Sequence, residues 1–163
     1  MIIFINGSIN SGKTTVSKLL ADRLSKVALV EFDDIRNMFD WMPLEEAIPI
    51  TIDIGINLIK DFVKNDMSVI VAYPLSKKDY NLINERLSDL NQKMYFFTLS
   101  PKLEEILKDK GSRKLTKWEI ERIKYHYSTG IHNPSFGITI DNTHKTPEET
   151  VEEILKNWEL YTM

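Results

Sequence analysis

The chain predicts an α/β fold, a mostly parallel sheet with helices on both faces, and two observations carry that reading. Five short apolar runs alternate with longer amphipathic ones, the pattern of strands and helices taking turns along one chain. A glycine-rich stretch of phosphate-binding form joins the first apolar run to the first amphipathic segment, the context in which such a loop has a physical purpose. With 163 residues, 42% hydrophobic and 28% charged, the chain is long enough to bury a core without staples and is expected to form one domain over residues 1–163.

The strands are expected at residues 2–5, 27–32, 68–73, 93–99 and 136–140, each rich in β-branched or aromatic side chains and too short for a helix. Helical periodicity covers residues 13–24, 34–39, 44–64, 77–90, 101–108, 117–128 and 147–160. Pro101 and Pro147 suit first helical turns, where a missing N–H costs nothing, with Ser100 and Thr146 as the matching caps. Ser76 is placed to cap the helix that starts at Lys77. The least regular stretch, with Gly111, Ser112 and a crowd of Lys and Arg, reads as a mobile charged lid at about 109–117.

Charge and composition exclude several roles. Lys and Arg number 21 against 24 Asp and Glu, a formal net charge of −3, so the basic excess needed to coat nucleic acid is missing. The absence of cysteine removes disulfides, thiolate catalysis and Cys-zinc sites and fits a reducing compartment, the cytoplasm. No apolar run approaches the roughly 18 residues that span a bilayer. His126, His132 and His144 have no metal-ligand spacing and are expected at the surface or in packing, and Trp158 and Tyr161 in packing on the last helix.

Gly7-Ser8-Ile9-Asn10-Ser11-Gly12-Lys13-Thr14 fits G-x-x-x-x-G-K-[ST]. Glycine lets the backbone curl with its N–H groups inward around a polyphosphate, and the helix N-terminus adds partial positive charge. Lys13 then reaches the β and γ phosphates, and the Thr14 hydroxyl holds Mg²⁺. Contacts to ATP are expected from Gly7, Asn10, Ser11, Gly12, Lys13, Thr14 and Thr15. The guanine-reading and D-x-x-G motifs of GTPases are absent. The second strand ends in Glu31-Phe32-Asp33-Asp34-Ile35-Arg36, at the edge that faces the ligand crevice of an open α/β sheet. Asp33 is there to take a proton from an acceptor hydroxyl and Arg36 to anchor the acceptor, while Asp34 suits a helix cap. Metal support through water falls to Asp33 or Asp34. Trp41 and Tyr73 are candidate acceptor-wall residues, and Phe39 and Met42 suit core packing. Arg113, in the basic lid, can bridge two oxygens of a phosphoryl group in transfer as a lysine cannot.

These motifs, together with Phe136-Gly-Ile-Thr-Ile-Asp-Asn-Thr143 and Thr146-Pro-Glu-Glu149, resemble the small P-loop kinases, in particular the chloramphenicol phosphotransferase-like and polynucleotide-kinase-like branch, with shikimate kinases more distant. The resemblance implies a P-loop three-layer fold with sheet order 2-3-1-4-5, Asp33 as base, Arg36 at the acceptor, Arg113 as lid arginine, and Asp141, Asn142 and Thr143 beside the adenine. Relatives commonly end the third strand in Asp, whereas Ala72 and Tyr73 stand there in this chain. The expected activity is ATP- and Mg²⁺-dependent transfer of a γ-phosphoryl group to a small-molecule hydroxyl. Two alternatives stay open, a 5′-hydroxyl nucleic-acid kinase and a nucleotide-binding regulatory module without transfer. Residues 37–66 oppose the first, with Lys60 and Lys64 against Asp40, Glu45, Glu46, Asp53, Asp61 and Asp66.

Overall fold

A computed structural model describes residues 1–111 and 113–162, with the side chains of 159–162 outside that description. Five parallel strands form one sheet in the order β2-β3-β1-β4-β5, as the resemblance implies: β1 (Ile2–Gly7), β2 (Val27–Glu31), β3 (Ser68–Ala72), β4 (Met94–Leu99) and β5 (Ile138–Ile140). The central strand is buried on both faces, with Ile2 to Ile5 at most 1% exposed, which is why it reads as an unbroken apolar run rather than an alternating one.

Helices cover both faces. On one lie α1 (Lys13–Asp22) and α7 (Pro147–Thr162), which bury Val16, Leu20, Val151 and Ile154 against Ile3, Ile5 and Phe97. On the other lie α2 (Phe32–Asn37), α3 (Leu44–Lys64) and α4 (Lys77–Leu87), with Ile35, Ile52, Ile56, Ile59 and Ile83 packed on Phe4, Val69 and Val71. Short α5 (Leu103–Ile106) and longer α6 (Lys117–Ser128) lie between β4 and β5. Because all strands run the same way, β1, β2 and β3 deliver Gly7, Glu31 and Ala72 to one edge of the sheet. No helix among the described residues is long and apolar enough to cross a membrane.

Several expected boundaries shift. Phe32 opens α2 instead of closing β2, because its ring is drawn into the core so tightly that a Cβ on Gly55 of α3 would lie 2.3 Å from it. The segment after Pro101 shrinks to one turn, since the Pro101 carbonyl accepts the Tyr127 hydroxyl and Lys102, not Ser100, precedes the helix. Gly137, at φ +67°, delays β5 until Ile138. The last turn expected of α4 is a separate 3₁₀ turn, Ser88–Leu90. The caps at Ser76 and Thr146 are present: Ser76 Oγ accepts from Asp79 N at 3.2 Å, and Thr146 Oγ1 from Glu149 N at 3.1 Å. Trp158 packs edge-on against Tyr95, while the Tyr161 side chain lies outside the described residues.

Candidate active site

The loop between β1 and α1 is held open by backbone geometry that its glycines permit. Gly7 has φ +147°, and a Cβ there would lie 2.6 Å from Ser11 Oγ and 2.7 Å from the Leu99 carbonyl. Gly12, at φ +96°, begins α1 with no side-chain cap and no acidic residue in the first turn, so the helix keeps unspent N–H donors and positive potential for an anion. Three ties to the lid side fix the loop: Asn10 Nδ2 donates to the carbonyls of Ile106 at 2.7 Å and Lys108 at 3.1 Å, and Lys110 Nζ donates to the Asn10 carbonyl at 2.8 Å. Lys13 is buried, its Nζ donating to the Ser8 carbonyl at 2.8 Å. Burial pushes its pKa down to about 8, opposed by Asp33 and Glu31 and assisted by Arg113.

A cavity of about 1120 Å³ runs from this loop to the opposite wall and brings together Lys13, Thr14, Thr15, Asp33, Arg36, Tyr73, Arg113, Arg122 and His126. Asp33, in the first turn of α2, makes no hydrogen bond or ion pair among the described residues. Asp33 is exposed toward the cavity, yet desolvation by the surrounding wall raises its pKa, with Lys13 pulling it back and Glu31 and Asp34 adding to the rise. Asp34 is exposed and caps nothing; Glu31 precedes the helix without a side-chain cap bond. Tyr73 is 8% exposed, its hydroxyl pKa raised by burial and by Asp33 and Asp79.

Two acceptor residues sit otherwise than expected. Arg36 lines the cavity, yet its guanidinium donates to the carbonyls of Phe39 at 2.9 Å and Met42 at 2.7 Å, leaving a buried Nε without a partner. Its first task is to hold the turn that follows α2. That turn directs Trp41 outward, 79% exposed and off the cavity wall, which corrects its placement as an acceptor residue. Phe39 packs on the core beneath Arg36.

The metal side contains a residue that the sequence reading passed over. Thr14 Oγ1 donates to Glu31 Oε2 at 2.7 Å, and Glu31 pairs in register with Ala72, so a carboxylate from β2 stands beside the position where β3 lacks one. A hydroxyl and a carboxylate oxygen are hard donors that suit Mg²⁺, whose remaining positions nucleotide phosphates and water fill. No cluster of three or more His, Cys, Asp or Glu with metal-holding geometry exists among the described residues. The sequence signal for it is the i, i+2 pair Glu31 and Asp33 where β2 ends.

Along α6, Trp118, Arg122 and His126 follow one another at four-residue spacing, all on the cavity. Glu119, in the capping box of α6 with Thr116, accepts from Arg113 Nη2 at 2.7 Å, so the lid arginine is carried on the start of this helix. Lys110 and Arg113 close a two-sided turn, while Ser112 lies outside the described residues. His126, expected at the surface or in packing, is 1% exposed and bonded to Ser8 Oγ through Nδ1 at 3.0 Å. Beyond β5, Asn142 Nδ2 donates to the Ser11 carbonyl at 2.9 Å, and Asp141 binds the Thr143 hydroxyl and N–H, which sets this turn against the loop.

No family model matches the chain. It is 30% identical over 161 residues to a Thermococcus kodakarensis protein described as "Putative adenylate kinase", covering 95% of this chain and 84% of that one. In fold it is similar to a sugar kinase from Janibacter sp. HTCC2649, with a TM-score of 0.70 and 18% identity over 95% of this chain and 92% of the other. Shikimate kinase from Aquifex aeolicus superposes with a TM-score of 0.61 and 20% identity, over 99% and 98% of the two chains.

Proposed function

This chain belongs to the small P-loop kinases, and from that membership we propose that it transfers the γ-phosphoryl group of ATP, with Mg²⁺, to a hydroxyl of a small neutral or cationic compound that has an apolar part. The observation that carries the proposal is Asp33: an unpartnered carboxylate that shares one cavity with Lys13. In the reaction the acceptor oxygen bonds to the γ phosphorus, the bond from that phosphorus to the β–γ bridging oxygen breaks, ADP leaves, and Asp33 takes the hydroxyl proton. Thr14, with Glu31 or Asp33 through water, would hold Mg²⁺, which would supply charge neutralisation on the phosphates. Lys13 and Arg113 serve the transferring group, and the Asp141 to Thr143 turn flanks the base of the nucleotide.

The acceptor class follows from the far wall. Asp40, Glu45 and Asp79 line it beside Ile48, Pro49, Ile52 and Leu82, against Lys78 and an Arg36 whose terminal nitrogens are spent on carbonyls. Two polyanions brought within a few ångströms need several fixed cations, which this wall lacks. The same deficit disfavours a nucleic-acid 5′ end. The Tyr73 hydroxyl, on the cavity with no hydrogen bond among the described residues, is a donor left for the acceptor. This reading agrees with the chloramphenicol phosphotransferase-like branch that the sequence resembles.

A second reading has its own support: the archaeal relative's name implies a phosphate acceptor, and Arg122 stands in the cavity with no ion-pair partner among the described residues. One experiment separates them, kcat/KM for adenosine, AMP, an amphenicol and an aminoglycoside with MgATP under one set of conditions. Preference for a hydroxyl compound over AMP supports the proposal, preference for AMP replaces it with the second reading, and no turnover above ATP hydrolysis with any of them returns the chain to the binding-module alternative.

A further inference from the structure

We propose that His126 is a positioning residue for the phosphate loop, fixing Ser8 from α6 so that the loop is set before a nucleotide arrives; the inference rests on the loop's being the ATP site. Both partners are 1% exposed and joined at 3.0 Å, in a region where an unmade polar contact is costly. Ser8 is the residue through which the loop holds its own lysine, because its carbonyl accepts Lys13 Nζ at 2.8 Å and Ser11 N at 3.3 Å. A side chain that fixes Ser8 therefore fixes the resting place of Lys13.

A second buried amide fastens the same end of α6. Asn6 is wholly buried, its Oδ1 accepting from Gly7 N and Leu75 N at 2.7 Å each, while its Nδ2 donates to Thr98 Oγ1 at 3.0 Å and to the Ile131 carbonyl at 3.4 Å. Ile131 N in turn donates to the His126 carbonyl at 3.0 Å. The loop's first glycine and the C-terminal end of α6 thus share one buried polar network, and packing alone does not require polar groups there. The ring stays neutral, since burial, Arg122 and Lys13 all oppose its charging and hold its pKa near about 3. In either neutral tautomer Nδ1 gives Ser8 one hydrogen bond.

The test is calorimetric titration of MgATP into the full chain without acceptor, together with urea unfolding of the same proteins without nucleotide. His126→Leu and Ser8→Ala are each expected to weaken MgATP about tenfold, the cost of an unmade buried hydrogen bond. The double variant is expected within about twofold of either single one, because both remove the same link. His126→Asn, whose amide reaches the place of Nδ1, is expected within about threefold of the parent, whereas His126→Gln, which extends toward the place of Nε2, behaves like the leucine variant. If His126→Leu does not fold, Ser8→Ala and His126→Asn carry the same contrast. Nucleotide affinities within twofold of the parent for Leu, Gln and Ser8→Ala, whatever their urea midpoints, or multiplicative losses in the double variant, overturn the proposal. A parent protein that binds no MgATP overturns the nucleotide reading itself, and this inference with it.

Discussion

The phosphate loop spends its polar groups on itself and its immediate neighbours, Lys13 on the Ser8 carbonyl, Asn10 on Ile106 and Thr14 on Glu31. On the wall across the cavity, the carboxylates of Asp33, Asp40 and Glu45 carry no hydrogen bond or ion pair among the described residues. Side chains engaged within the loop and carboxylates left open across from it show where recognition is general and where it is selective. On the proposed function, a polyphosphate would be met by backbone donors and one cation that are the same for any triphosphate. The acceptor would meet individual side chains from α2, α3 and the segment after β3, whose charge and shape would exclude most candidates.

The sharpest break in that comparison is at Asp33, where the two halves meet. Asp33→Asn removes the proton acceptor without touching the loop, so kcat with a hydroxyl acceptor should fall by about 10²–10⁴ while MgATP affinity stays within a few-fold. Asp34→Asn, at a residue that does not line the cavity, should change neither by as much. Steady-state kinetics with parallel titrations decide it: equal losses from both changes, or none from Asp33→Asn, would show that the halves are divided elsewhere.

The donor half answers to Lys13. MgATP at a hundred times its Kd should stabilise the parent by about 2.7 kcal/mol and raise Tm by roughly 5–10 °C, and Lys13→Ala should lose most of that shift. A shift that survives the change would mean that the nucleotide binds away from the loop.

The asymmetry also explains what could be read from the chain before its structure was in hand. The donor half lies within nine consecutive residues, Gly7 to Thr15, whose glycines, lysine and threonine act where the backbone puts them, so spacing alone discloses it. The strand order 2-3-1-4-5 rested on the resemblance to the small P-loop kinases, not on spacing. Glu31, His126 and Ser8 were hidden because their meaning depends on pairing across the fold: Glu31 on its register with Ala72, His126 on an approach to Ser8 from 118 positions away. Trp41 misled because nearness in sequence to Arg36 does not decide which way a turn faces, and the carbonyls that Arg36 collects turn it outward.

A smaller effect tests whether the donor half's polar network reaches stability as well as binding. The pKa of His126 is about 3 in the fold against 6.5 when unfolded, so between those values the unfolded chain binds the extra proton. Stability from this group is therefore complete above pH 6.5 and declines as pH falls toward 3. From pH 7 to pH 5 the loss attributable to His126 is about 2 kcal/mol, read as the difference between the parent and His126→Asn in urea unfolding at the two values. Identical pH slopes in the two proteins would mean that the imidazole charges in the fold without strain.

The smallest expected effect marks the outer limit of the acceptor half. Trp41 is 79% exposed and Met38 beside it 78%, and neither lines the cavity, although both flank the turn that Arg36 holds. An aromatic ring left in water has neither the desolvation nor the fixed geometry that makes aromatic residues anchors of binding sites. Trp41→Ala should therefore change acceptor KM by less than about twofold and stability by no more than about 0.5 kcal/mol, as for other surface substitutions. Arg36→Ala, by contrast, frees the carbonyls of Phe39 and Met42, loosens the turn and should raise acceptor KM while leaving MgATP affinity unchanged. A tenfold rise in acceptor KM from Trp41→Ala, with Tm unmoved, would show that the turn folds inward over a bound acceptor and that the selective half of the cavity extends past Arg36.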